Sequence, residues 1–65
     1  MEEFQKRVVD EYNELFEKTK KLGLFFGTKT FNDLKKDEQF RLDKQWQIMQ
    51  QYGLILSERI SAFNK

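Results

Sequence analysis

Apolar positions along this chain recur with the spacing of two helices. Phe4, Val8, Tyr12, Leu15, Thr19, Leu22 and Phe26 follow one another at intervals of 4, 4, 3, 4, 3 and 4. This period predicts one continuous helix over about residues 2–26. Glu2 and Glu3 suit its positive end, while Lys18, Lys20 and Lys21 suit its negative end. Glu14 with Lys18 and Glu17 with Lys21 add favourable i,i+4 pairs. Gly27 reads as the C-terminal stop. Gly23, inside the last turn, marks either fraying or a close approach by a neighbouring helix. A second stripe, Leu42, Trp46, Met49, Gly53, Leu56, Ile60 and Phe63, runs at 4, 3, 4, 3, 4 and 3 and predicts a helix over about 36–63. Lys35 falls at its N-cap position and is a poor capping residue, whereas Asp37 and Glu38 complement the dipole. Between the stripes, Phe31 and Leu34 predict a short helical turn at 31–34 that folds over the end of the pair.

The expected fold class is therefore all-α, a single helical-hairpin domain over 1–65 with two antiparallel helices. Two rods touch along one seam only, and apolar residues off that seam need another cover. Val9 and Phe16 widen the face of the first helix, and Ile48 and Ile55 flank the second stripe through Tyr52. These four residues are the expected oligomer interface of a helical-bundle homo-oligomer, because a chain this small buries too little surface by itself.

Composition removes many chemistries. The 65 residues include no histidine and no cysteine, which leaves no disulfide framework, no His-based acid–base pair and no zinc site of the Cys/His kind. Carboxylates such as Asp10, Glu11, Glu14 and Glu58 follow no metal-ligand spacing, and no glycine-rich phosphate loop or nucleophile elbow occurs. No catalytic residues, metal site or cofactor are assigned, and the chain reads as a non-enzyme. No segment has the length of a membrane span, and the start lacks the features of a signal peptide. A small cytoplasmic protein, complete as it stands, is the expectation.

Net charge is +1, but the balance is uneven. Six lysines and one acid lie between Lys18 and Lys36, so the middle of the chain is basic. Cations near a helix C-terminus and on a polar turn need no ligand. Such a cluster also fits an anion site at the start of the second helix. Ten aromatic residues are present, and Phe4, Tyr12, Phe26, Trp46 and Phe63 lie on the stripes, where packing accounts for them. Phe40 points away from the seam and reads as an oligomer contact, a partner anchor or a stacking surface. Of the three arginines, Arg7 and Arg59 fall at the same end of an antiparallel hairpin, with Tyr12 and Tyr52 within a few turns.

The run Glu3-Phe4-Gln5-Lys6-Arg7-Val8-Val9-Asp10-Glu11-Tyr12-Asn13-Glu14-Leu15, with Lys18, Lys21-Leu22 and Phe25-Phe26, resembles the opening of a family of very small tailed-phage proteins. Phe31-x-x-Leu34, Glu38-Gln39, Arg41-Leu42, Gln45, Met49, Tyr52, Ile55-Leu56 and Arg59-Ile60 look like its continuation, the group related to a crAss-like phage protein of unknown role. Lys35 departs from the Ser- or Thr-like cap expected there. The resemblance implies a phage accessory protein acting in the host cytoplasm. Oligomeric sponges that sequester the cyclic nucleotide signals of CBASS or Thoeris immunity look similar in architecture, although no ligand motif of theirs transfers to this chain.

Two readings follow from that analogy. In the first, a phage anti-defence homo-oligomer sequesters a cyclic oligonucleotide or related signalling nucleotide. Arg7, Tyr12, Arg41, Tyr52 and Arg59 would then contact phosphate and base, with Phe40 as a stacking group. In the second, the chain occludes a host defence protein through Phe40, Ile48, Ile55 and Val9. Nucleic-acid binding through the Lys18 to Lys36 segment is a minor third reading.

Overall fold

A computed structural model describes residues 1–63 and contains three helices: α1 (Glu3–Phe25), α2 (Lys29–Asn32) and α3 (Lys36–Ala62). Helices α1 and α3 pack against each other along their length in an elongated body of 46 × 14 × 14 Å. Both long helices end within one or two residues of the bounds that their apolar period predicts. The expected turn at 31–34 is displaced towards the N-terminus, to Lys29–Asn32. Thr28 is the reason. Its hydroxyl donates to the Phe25 carbonyl at 2.7 Å and accepts from the Phe31 N–H at 3.2 Å, closing α1 and capping α2 with one side chain.

Gly27 is not the left-handed stop that its position implies, since no residue described has a positive φ. The end of α1 instead tightens through three-residue turns, with the Gly27 N–H donating to Leu24 and the Thr28 N–H to Phe25. Lys35 is the N-cap of α3 and, as its chemistry dictates, supplies no side-chain cap. The Asp37 carboxylate accepts the Glu38 N–H at 3.0 Å, a donor that it shares with the Lys35 carbonyl at 3.1 Å.

Two glycines lie on the seam, and one of them sets how closely the helices meet. A Cβ on Gly23 would lie 3.2 Å from Trp46 Nε1, so this residue admits the indole, and of its two expected meanings the close approach is the one found. A Cβ on Gly53 would lie 3.9 Å from the Leu15 side chain, an ordinary contact distance. The indole N–H donates to the Thr19 carbonyl at 3.2 Å across the pair.

The core is thin. Val8 and Leu56 are the only fully buried apolar residues among those described, and the remaining seam residues, including Leu15, Leu22, Leu42, Met49 and Ile60, are half-buried. Phe4 lies on the stripe yet remains 54% exposed, because α2 sits at the other end of the pair and no element of the described residues covers it. It meets Phe63 edge-on at 5.8 Å and fixes the antiparallel register at the open end. At the turn end, Phe25 and Phe26 both meet Phe31 edge-on, and Phe26 also meets Trp46.

Candidate binding trough

The crossing of α1 and α3 leaves a concave strip along one side of the pair. Its deeper part is a hollow of about 490 Å³ with Tyr12, Leu15, Phe16 and Thr19 on the α1 wall. Met49, Gln50, Gln51, Gly53, Leu54 and Ser57 form the α3 wall. A second hollow of about 380 Å³ continues towards the turn and adds Lys20, Gly23, Leu24 and Trp46. The two share Phe16, Thr19 and Gln50, so they form one trough.

Local sequence explains the concavity. Thr19, Gly23, Gly53 and Ser57 are small residues at or beside seam positions, and each leaves depth where a leucine would fill it. Thr19 folds its hydroxyl back onto the Leu15 carbonyl at 2.8 Å and takes up little room. The rings of Tyr12 and Phe16, one helical turn apart, stack at 6.4 Å with an interplanar angle of 28° and form an aromatic shelf on the α1 wall. Leu24 and Leu54 are 70% and 58% exposed along the same strip. Lys20 is the one charged side chain lining either hollow, in a chain of which 35% is charged.

Of the residues singled out in the sequence as ligand contacts, Tyr12 alone lines this trough. Phe40, 61% exposed, lines a separate hollow of about 580 Å³ beside the turn, with Phe26, Phe31, Lys36, Gln39 and Asp43. The Lys44 ammonium sits 4.7 Å from the centre of its ring. Arg41 is engaged by Glu38 at 2.9 Å and by Asp37 at 3.7 Å, both exposed ion pairs within α3. Arg7 and Arg59 are exposed near the open end that Phe4 and Phe63 define. Arg41 and Arg59 are separated by about 27 Å along the helix axis at 1.5 Å per residue, too far to hold one small ligand within one chain. Tyr52 and Arg59, seven residues apart on α3, share a side of the helix that lines none of these hollows.

The four expected interface residues also separate. Phe16 lies in the trough, whereas Ile48 and Ile55 lie outside all three hollows, on the outer side of α3, and are 67% and 53% exposed. Val9 is half-buried on α1, seven residues before Phe16 and on the same side. Sequence reasoning missed Thr19, Lys20, Gln50, Leu54 and Ser57. The signal that carried them was the run of small residues on both seams, which marks a gap between helices instead of a filled core.

A family model matches residues 2–62, nearly the whole chain. The protein belongs to the Sequestin family. The name of that family is consistent with a sequestering role, and it identifies no ligand. No curated protein and no solved structure matches the chain. No helix of the described residues is long and apolar enough to cross a membrane. Among the described residues, no group of three or more acidic side chains is placed to hold a metal ion.

Proposed function

We propose that this protein is a phage-encoded anti-defence protein that acts in the host cytoplasm. In this reading it sequesters a cyclic oligonucleotide or related immune signalling nucleotide in the trough, without chemical turnover. The observation that carries this reading is the composition of the trough walls: an aromatic shelf, amides and hydroxyls, and one lysine. A planar base gains from stacking on Tyr12 and Phe16. Gln50 and Gln51 offer donors and acceptors to base edges, Ser57 offers a hydroxyl, and Lys20 supplies a cation for phosphate at the turn end. The volume of the deeper hollow, about 490 Å³, lies in the range of small-ligand sites. The lining contains no carboxylate, imidazole or thiol, so it offers no general base or strong nucleophile to break a phosphodiester. Binding with release of the unchanged ligand is the activity such walls support.

The test is native mass spectrometry and calorimetry with a panel of cyclic di- and trinucleotides and cyclic ADP-ribose isomers, followed by heat denaturation and chromatography of the released ligand. Saturable uptake and recovery of the intact nucleotide are expected. Tyr12→Ala should weaken binding by roughly 5- to 150-fold, the worth of one stacked base, with helicity by circular dichroism unchanged. Arg7→Ala and Arg59→Ala test the alternative placement at the open end. Loss of binding in these variants, with Tyr12→Ala unaffected, would move the site there. A cleaved product would overturn the sequestration mechanism.

A further inference from the structure

Charge is divided along the hairpin. Residues 2–17, which run from the open end towards the middle of α1, carry six acids and two bases, whereas residues 18–36 carry six lysines and one acid. Helix dipoles do not account for those lysines. The last turn of α1 contains no basic residue, so Lys18, Lys20 and Lys21 stop short of the carbonyl end where a cation is favoured. Lys35 and Lys36 are the N-cap and first residue of α3, where the dipole disfavours a cation and Lys35 supplies no side-chain cap.

Ion pairing does not account for them either. Among the described residues, Lys29 alone of the six is paired, with Asp33 at 3.3 Å. The i,i+4 pairs that the sequence offers, Glu14 with Lys18 and Glu17 with Lys21, are not closed. Of the acids nearest the turn, Asp37 and Glu38 are engaged by Arg41, and Asp43 has Lys44 beside it in the chain. Five exposed ammonium groups therefore set up a positive field over the turn end. Two hollows lie within it. Lys20 lines the second hollow of the trough, together with Trp46, and Lys36 lines the hollow beside the turn. Residues that oppose local stability at one end of a molecule are expected where function requires them.

We infer that these lysines form an anion-gathering entrance to the trough: they concentrate phosphate-bearing solutes at the turn end and hasten their capture, while destabilising the start of α3. The inference rests on the reading that the trough takes an anionic nucleotide, and it adds how that ligand arrives. Lys20 stands on the trough wall; the other four act through the field, which attracts any small anion and repels any small cation. Salt weakens the effect, since the Debye length falls from about 10 Å at 0.1 M to about 3 Å at 1 M.

The experiment uses the full chain and the fluorescence of Trp46, quenched by iodide and by caesium at constant ionic strength. Each quenching constant is divided by that of free N-acetyltryptophanamide. In the parent protein the iodide value should exceed the caesium value by roughly threefold or more at about 0.1 M ionic strength, and the two should converge at about 1 M. A Lys20→Gln/Lys35→Ser/Lys36→Glu variant should bring the ratio at low salt close to one. Its melting temperature should rise by about 4 °C or more, because it gains a cap and an acid at the start of α3. Lys6→Gln, about 21 Å from Lys20 along α1 at 1.5 Å per residue, should leave the ratio in place. Equal quenching in the parent overturns the inference, as does a ratio that persists at 1 M salt or survives the triple substitution, or a lower melting temperature in that variant. No nucleotide enters this experiment, so its failure is separate from that of the sequestering reading, which nucleotide uptake decides.

Discussion

The two ends of the hairpin are held by different means. Around the turn, contacts are directional: Trp46 donates to Thr19 across the helices, and Phe25, Phe26, Phe31 and Trp46 meet edge to face. The Gln39 amide nitrogen lies 3.0 Å from the carbonyls of Phe31 and Leu34 and 3.3 Å from that of Asn32, and fastens the end of α2 and the segment after it to α3. Towards the open end, stabilisation is almost entirely aliphatic, with Val8 and Leu56 buried and the Phe4–Phe63 contact at the edge. Geometry-dependent contacts secure the end where the chain reverses. Simple burial secures the end where loop closure gives no help. A hairpin with this distribution should lose its open end to any loss of volume and its turn end to any loss of alignment.

The largest effect belongs to the aliphatic half. Leu56→Ala removes the one large side chain that is essentially inaccessible, 1% exposed, and should cost about 2–5 kcal/mol. In a domain of this size that is enough to shift urea unfolding, followed by circular dichroism, to the foot of the transition. An intermediate effect belongs to the directional half. Gln39→Leu leaves the part-buried Leu34 carbonyl without the amide donor, while that of Phe31 keeps the Leu34 N–H, and should cost about 1–3 kcal/mol. Hydrogen exchange should then rise in the α2 segment while the amides around Leu56 keep their protection. Equal loss at both places would show that the hairpin opens as one unit and would erase the contrast. The smallest effects come from the two seam glycines and should differ in sign. Gly53→Ala has room beside Leu15 and gains helix propensity worth up to about 1 kcal/mol. Gly23→Ala pushes on an indole held by both its hydrogen bond and the Phe26 ring, so a net loss is expected. Melting temperatures of the pair decide this.

The elements were legible from period alone, since two stripes with helical spacing leave little freedom in a chain this short. The displaced turn shows where period gives out. Phe31 and Leu34 have the right interval, but the backbone of that segment follows the capping chemistry of Thr28, a residue type known for ending and starting helices. The trough was less legible for a different reason. A sequence displays side chains that fill space, and this feature consists of space left unfilled by Thr19, Gly23, Gly53 and Ser57. The arginines show the complementary difficulty: charge is conspicuous in a sequence, while the axial distance between Arg41 and Arg59 becomes evident only on a straight helix. Ile48 and Ile55 stood out as off-seam residues, yet their separation from Phe16 depends on how the two helices are rotated against each other.

The position of Trp46 gives the molecule a built-in optical probe. It is the single tryptophan of the chain, and it stands where the second hollow of the trough meets the aromatic contacts of the turn. Its emission wavelength should report solvent entry as the turn end loosens, and, on the function proposed above, a nucleotide occupying the trough should quench its intensity without shifting that wavelength. Unfolding and occupancy thus separate into two spectral coordinates of one unlabelled fluorophore.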